Sequence, residues 1–496
     1  LPSFLMEASN NAERPPPVLV AALGTFGDVL PLYSVARAVS RSLPVLFVTH
    51  SSLLRHLQPT ERSAAHTDES HDDKRTSRLL LTLEGIDSSP LRPTADALFC
   101  SAEEAAVLAR LCEGRRVVGF NYFALFCWHA VQRENRRGNR CAAVVLSPCL
   151  APREMPEGFT AAFRDEYGRE IYERLERAEG GNMTLMTLAD LRHWMWRLCM
   201  DDHGKLRLEV LGMPESIFGD DGDGDDALPH AATVLYLLSP ALFAVPADWP
   251  PSVRVVGSAA ADATLPDASS TIVPPLSLPE KPFVWVCFGS MPAIGACHFS
   301  WRCVGQVLEA VHRTTALRFV YHVPVASLDA DGSPDDAATT LSVFEGVSRL
   351  SGVVDLSRLL GHPSCVAAVT HGGGGTVAAV CRAGIPQIVC PFMFDQQVWC
   401  KRLVDLNVAV DGSVFLSLLE GTSVVEAAAC LSGLLGQLLG RSHDGSVCVV
   451  PPERRAAIES VGMQVRLEDG ASEAAKVIVG LCGGGGRASE WVARAQ

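Results

Sequence analysis

The chain alternates short, continuous apolar runs with longer stretches in which apolar residues recur every three or four positions. Runs of the first kind are Val18–Leu23, Val45–Thr49, Arg116–Phe123, Cys141–Ser147 and Val234–Leu238. Their Val- and Leu-rich composition, bounded by turn residues, predicts strands buried on both faces. Between them, Pro31–Ser40 places Leu32, Val35, Ala36 and Val39 on one face of a helix, and Ala102–Leu111 reads as a second helix. The same alternation returns later, with strands at Pro282–Phe288, Arg318–His322, Val366–Val369 and Gln387–Pro391. Helices are predicted around Trp301–Val311, Thr376–Ala383, Ser423–Leu439 and Glu453–Val479. Strand and helix in turn predict an α/β protein of two Rossmann-like domains, each a parallel sheet covered by helices, facing across a cleft. No internal repeat at solenoid periods is found, so the halves share only a type of fold.

Composition shifts divide the chain. Residues 1–14 read as a disordered lead-in, and Pro15-Pro16-Pro17 marks the start of a first domain, 15–258. Residues 57–78, rich in His, Asp and Ser, read as a loop insertion, and Ser147 to about Gly212 as loops and helices without strand periodicity. The Pro-, Ser- and Ala-rich segment 259–281 reads as a linker. A second domain, 282–482, follows, and then a tail, 483–496, that begins with the glycines Gly483–Gly486 and has room for a short closing helix at Ala488–Ala495.

The stretch Val366–Gln396 organises the rest. An apolar run ends in Thr370 and His371, four glycines follow at Gly372–Gly375, and a helix runs from Thr376 until Gly384 and Pro386 stop it. A second apolar run then leads to a loop carrying Asp395 and Gln396. A helix start presents unpaired N–H groups and the positive end of a dipole, and glycine lets a ligand approach the backbone closely. The turn therefore suits the diphosphate of a nucleotide, with Gly373, Gly374 and Gly375 donating backbone N–H groups, Thr376 a hydroxyl and His371 a ring N–H. The same glycines would equally serve a tight turn that only packs a helix against a sheet.

These residues resemble a known family. His371-Gly-Gly-Gly-Gly-Thr376, then Arg382-Ala-Gly-Ile-Pro386, then Pro391-Phe-Met-Phe-Asp395-Gln396 are similar to the UDP-glycosyltransferases, most of all to the sterol 3-beta-glucosyltransferases and the bacterial glycosyltransferases of antibiotic synthesis. The resemblance implies the two-domain GT-B fold, inversion at the anomeric centre and no metal. It extends to the first domain, where Gly27-Asp28-Val29-Leu30-Pro31 resembles the G-D-x-x-P turn of the sterol and antibiotic enzymes. It implies Asp28 as the base that deprotonates the acceptor hydroxyl, with Gly27 beside it counted among the donor-binding residues. It further implies Ser290 and His371 at the phosphates, and Asp395 with Gln396 at the hexose, often glucose. Each position has a plainer reading as well: Asp28 and Ser290 as helix N-caps, His371 as a packed core histidine, and Asp395-Gln396 as a solvated loop. Two departures stand out. Gly352-Val-Val-Asp-Leu356 lacks the Trp with which plant members stack uracil, and Ala379 stands where those members have Glu. The second is shared by the sterol type; the first leaves the contacts to the base open.

Charge and composition narrow the remaining classes. In 496 residues, 56 acidic against 42 basic side chains leave a net charge of −14, which argues against general binding to nucleic acid or to anionic lipid. Sixteen cysteines are scattered without C-x-x-C or zinc spacing, and Cys287, Cys365 and Cys390 sit inside apolar runs, as buried thiols of a reducing, cytoplasmic setting would. No apolar run approaches a membrane span. The chain begins at Leu1, not Met, so the lack of a leader carries little weight. The acidic run Gly219–Asp226 contains Asp221-Gly-Asp223 but fails the spacing of an EF-hand and reads as a solvated loop. Neither metal nor cofactor is expected. The expected partners are a UDP-sugar and a small lipophilic acceptor, with peripheral contact to membranes. Phe120–Trp128 and Trp194–Trp196 are candidates to line the acceptor site, or else plain core. A nucleotide-sugar epimerase and a non-catalytic nucleotide-binding helper are the competing readings.

Overall fold

A computed structural model describes residues 16–54, 56–57, 80–87, 100–150, 165, 169, 172–177, 185–193, 203–217, 228–247, 249–259, 278–323, 344–351, 354–421, 423–440 and 450–483. The lead-in, most of the insertion, the acidic run, Trp194–Trp196, nearly all of the linker and the tail after Gly483 lie outside the described residues.

Two parallel sheets form the two lobes. The first has seven strands: β1 (Val18–Ala21), β2 (Val45–His50), β3 (Leu81–Ile86), β4 (Val117–Phe120), β5 (Ala142–Ser147), β6 (Thr233–Tyr236) and β7 (Val253–Val255), in the order β3-β2-β1-β4-β5-β6-β7. The second has six: β8 (Phe283–Cys287), β9 (Arg318–Val323), β10 (Val347–Ser351), β11 (Cys365–Thr370), β12 (Gln387–Val389) and β13 (Ala409–Asp411), in the order β10-β9-β8-β11-β12-β13. Both sheets turn back on themselves once, β1 lying beside β4 and β8 beside β11. At such a switch point the loops leave in opposite directions and open a crevice at the carboxyl ends of the strands. The central strands β1, β8 and β12 are buried along their whole length, as their unbroken apolar runs require.

Predicted and observed helices differ most at two places. The first helix begins at Phe26, not Pro31, so Gly27 and Asp28 lie inside its first turn and Pro31 within the helix. Thr25 supplies the cap that makes this earlier start possible. The single stretch Glu453–Val479 is two helices, Pro452–Arg466 and Gly470–Gly483. The break falls where Glu468 turns towards the first lobe: Ser239 Oγ donates to Glu468 Oε1 at 2.5 Å and the Ser258 N–H to Oε2 at 3.1 Å. Beyond it, Gly470–Gly483 packs on the first helix, Phe26–Ser40, while Pro452–Arg466 packs on Gly374–Ala383 of the second lobe. The chain thus returns to the first lobe before residue 482, through this helix.

One apolar cluster runs through both lobes, joining Tyr236 and Leu238 of the first to Val377 and Trp399 of the second. The helix Phe26–Ser40 also touches Gly374–Ala383 directly. No helix among the described residues is long and apolar enough to cross a membrane.

Candidate functional site

The first half of the site is built where β1 ends. Gly24 leaves the strand with φ +100, and a side chain there would fall 2.8 Å from both Asp28 Oδ2 and Phe123 Cδ2. Two buried polar residues hold this turn. The Gly24 N–H donates to His50 Nε2 at 2.9 Å, and Asn121 exchanges two bonds with Leu23, donating to its carbonyl at 2.6 Å and accepting from its N–H at 3.3 Å. Thr25 then caps the helix Phe26–Ser40, and its N–H and hydroxyl both donate to Asp28 Oδ2, each at 2.9 Å. Asp28 is therefore the third residue of the helix, reaching back, and not the cap itself. Both bonds fall on one oxygen; among the described residues no hydrogen bond falls on Oδ1. Loss of hydration pushes the Asp28 carboxyl up to about 6, against the pull of the Thr25 bonds, and the charge of Asp395 adds to the rise. Gly27, at the helix's second position, is exposed.

The second half lies at the switch between β8 and β11. His371 follows β11 and is 8% exposed. Its ring lies against the backbone of Gly289, which has φ +59 and where a Cβ would stand 2.5 Å from His371 Cε1; a Cβ on Gly373 would run into Nε2. Burial lowers the His371 imidazole to about 4, opposed by the nearby Cys287 backbone, so the ring is neutral near pH 7. Its Nδ1 is buried without a hydrogen-bond partner. Gly373 caps the helix Gly374–Ala383 in extended conformation, so this helix starts two residues before the predicted Thr376. The N–H groups of Gly374, Gly375 and Thr376 have no acceptor within the helix. A side chain at Gly375 would meet nothing within 4 Å, so the turn is open there. Thr376 is half-buried in the same turn. Ser290 does not cap a helix: Ser300 does so for Trp301–Thr315, accepting from the Cys303 N–H at 3.2 Å.

Asp395 and Gln396 are both buried. Asp395 Oδ2 accepts from the Trp399 indole N–H at 2.8 Å and, across the cleft, from the Leu150 N–H of the first lobe at 2.9 Å. Desolvation raises the Asp395 carboxyl and these two bonds oppose the rise. Gln396 Oε1 accepts from the N–H groups of Phe392 and Met393 at 2.8 and 3.1 Å, and its amide nitrogen faces Met291 Sδ at 3.6 Å. In this structure the Gln396 side chain fastens its own loop. Phe394, just before the pair, holds φ +54 and is 70% exposed.

The two halves meet through the Leu150–Asp395 bond, the charge of Asp395 felt at Asp28, the approach of Gly374 to Pro148 and Leu238, and the contact of the two helices. Sequence reading missed His50, Asn121, Leu150 and Trp399. The first two were marked only by their place at strand ends beside the switch point. Trp399 lies four residues after Asp395, one helical turn on the same face. Leu150 acts through its backbone and carries no side-chain signal. Among the described residues, no group of three or more His, Cys, Asp or Glu side chains is disposed to hold a metal ion. Of the segment that lacks Trp, Gly352 and Val353 lie outside the described residues; Asp355 caps the short helix Leu356–Leu360. Ala379 lies half-buried against the second lobe's apolar cluster.

Comparison with known proteins agrees with this architecture. Residues 323–416 match the model of the erythromycin biosynthesis protein CIII-like C-terminal domain. The sterol 3-beta-glucosyltransferases of Cryptococcus neoformans and Debaryomyces hansenii are each 27% identical over 47% of this chain. The match covers only 15% and 14% of those longer proteins. Among solved structures, the kitacinnamycin glycotransferase superposes with a TM-score of 0.52 at 16% identity, covering 94% of this chain and 99% of its own. The calicheamicin glycosyltransferase gives 0.52 at 13%, covering 96% and 100%, and the spinosyn rhamnosyltransferase bound to spinosyn aglycone 0.52 at 16%, covering 94% and 99%. The chain has the GT-B fold of these glycosyltransferases, and part of its sequence resembles the sterol 3-beta-glucosyltransferases.

Proposed function

We propose that this chain transfers a hexose, glucose first among candidates, from a UDP-sugar to a hydroxyl of a lipophilic acceptor such as a sterol, with inversion at the anomeric carbon. The observation that supports this reading is Asp28: a carboxylate with no hydrogen bond on Oδ1 among the described residues, raised to about 6, in the first turn of a helix that touches the glycine-started helix Gly374–Ala383. The acceptor O–H gives its proton to Asp28 Oδ1 while its oxygen bonds to the anomeric carbon. The bond from that carbon to the diphosphate oxygen breaks, and UDP leaves with the electron pair. The N–H groups of Gly374, Gly375 and Thr376, with His371 and Ser290, meet the charge that develops. Asp395 and Gln396 hold the hexose, Gln396 by turning its amide from Met291 to the sugar. Helix dipole and imidazole take a cation's part, so no metal is assigned. Holding both reactants across one crevice supplies much of the acceleration.

The sterol 3-beta-glucosyltransferases support the sugar and acceptor class. The spinosyn rhamnosyltransferase has been solved with thymidine diphosphate, so the nucleotide needs a direct test. Peripheral contact with membranes, on their cytoplasmic side, is part of the same proposal and would suit a lipophilic acceptor.

Purified protein should be offered UDP- and TDP-hexoses with a panel of sterols and phenols, nucleotide release being measured and products read by mass spectrometry. A β-glycoside formed from a UDP-hexose is the expected result. Donor turnover without an acceptor would point to an epimerase, and binding of UDP without turnover to a helper protein; either would overturn the assignment.

A further inference from the structure

Asp395 is held from two directions, and only one of them belongs to its own lobe. Oδ2 receives the Trp399 indole N–H at 2.8 Å and the Leu150 N–H at 2.9 Å, whereas no hydrogen bond falls on Oδ1 among the described residues. Trp399 is 1% exposed, so its ring cannot swing away without opening the core. The same ring reaches the glycine turn: a Cβ on Gly374 would lie 3.6 Å from Trp399 Nε1 and 3.1 Å from the carbonyl oxygen of Pro148. It also meets the first lobe, its centroid 6.2 Å from that of Phe243, and one turn on, Arg402 Nε donates to the Leu242 carbonyl at 2.9 Å. One indole thus stands between the diphosphate turn, the hexose carboxylate and the loop after β5.

We propose that Trp399 is a positioning residue for recognition of the donor hexose, and that the first lobe takes part in it through the Leu150 N–H. Together they fix the Asp395 carboxylate with Oδ2 occupied and Oδ1 turned to the sugar. Leu150 leaves the carboxylate when the lobes part, so affinity for the hexose, but not for the nucleotide, depends on their contact. This rests on the donor assignment made above.

The test is Trp399→Phe, which keeps most of the ring and removes the N–H. Calorimetry with UDP and with UDP-glucose separates the two halves of the donor. The variant is expected to bind UDP within about twofold of wild type and UDP-glucose about five- to tenfold more weakly, the scale of one ordinary hydrogen bond net of hydration. KM for the sugar nucleotide should rise more than kcat falls. Equal weakening of both ligands, or of neither, would overturn the inference. Asp395→Asn, alone and combined with Trp399→Phe, supplies a second reading. If Trp399 acts through Asp395, the two losses in UDP-glucose affinity do not add; additive losses would overturn it. Should Trp399→Phe fail to fold, Trp399→Met, which likewise lacks the N–H, replaces it in both measurements. Wild-type protein that binds neither UDP nor UDP-glucose would instead refute the donor assignment itself.

Discussion

Asp28 and Asp395 come from opposite lobes, yet the charge of Asp395 raises the proton affinity of Asp28. The two carboxylates therefore share one electrostatic environment across the crevice. Asp28 loses its proton near 6, so transfer should fall on the acid side with an apparent pKa close to that value. Asp395→Asn removes the opposing charge. It should move the acid limb of kcat/KM to lower pH, besides weakening the donor; an unmoved limb would show that the charge of Asp395 does not reach the base.

The same burial makes Asp28 a burden on the fold. Its carboxyl is raised from 3.8 to about 6 on folding, so between these values the folded chain holds more protons than the unfolded one. Stability contributed by this group falls as pH rises through that window and stays lower at neutral pH. Asp28→Asn should thus abolish transfer, preserve UDP binding and raise stability at pH 7 by about 1–2 kcal/mol, a gain that fades below pH ~4. Chemical denaturation at pH 4 and pH 7 measures this directly. A variant that loses UDP binding along with transfer would remove Asp28 from its role as base.

The turns that follow β1 and β11 were the most legible part of the sequence. Four glycines after a buried strand announce a tight turn into a helix, and Gly27-Asp28 soon after the first strand announces another. Helix limits were less legible. Pro31 reads as a beginning because proline lacks the N–H of a helix interior, but it sits within a turn that Thr25 and Asp28 have already closed. The edge strands β3, β7, β10 and β13 escaped because a strand with one neighbour carries a weaker apolar signature. The break at Leu467–Asp469 was hidden because Glu468 is a sound helix former, while its bonds to Ser239 and Ser258, that of the Gly470 N–H to the Ser258 carbonyl and that of the Ser472 N–H to Asp469 hold the chain there. The Leu150–Asp395 bond could not be read at all, since a backbone N–H leaves no mark on residue choice.

Neighbouring glycines of the phosphate turn should respond in opposite ways. A Cβ at Gly373 collides with the His371 ring, whereas at Gly375 it meets no protein atom within 4 Å. Gly373→Ala should therefore lower the melting temperature and displace His371. Gly375→Ala should leave melting unchanged or slightly raised, since alanine favours the helix by up to about 1 kcal/mol over glycine. It should nonetheless weaken UDP binding by roughly tenfold or more, because the methyl group stands where the diphosphate would approach the backbone. Melting curves and UDP titrations on both variants check the contrast, and undiminished UDP affinity in Gly375→Ala would remove the diphosphate from this turn.

His371 supplies the sharpest link between pH and ligand. Without a ligand its imidazole is held at about 4 by burial, and its Nδ1 has no hydrogen-bond partner. A diphosphate beside it brings negative charge into a poorly hydrated site, which favours the protonated ring. Binding of UDP near pH 6 should then draw a proton from solution onto His371, and by linkage UDP affinity should decline as pH rises. Calorimetry at pH 6 in buffers of different ionisation enthalpy reads the proton uptake as a change in apparent binding heat. His371→Gln should abolish that dependence on buffer and weaken UDP, while any remaining uptake would have to arise at the phosphate itself. Buffer-independent heats in the wild-type protein would place the diphosphate out of reach of His371.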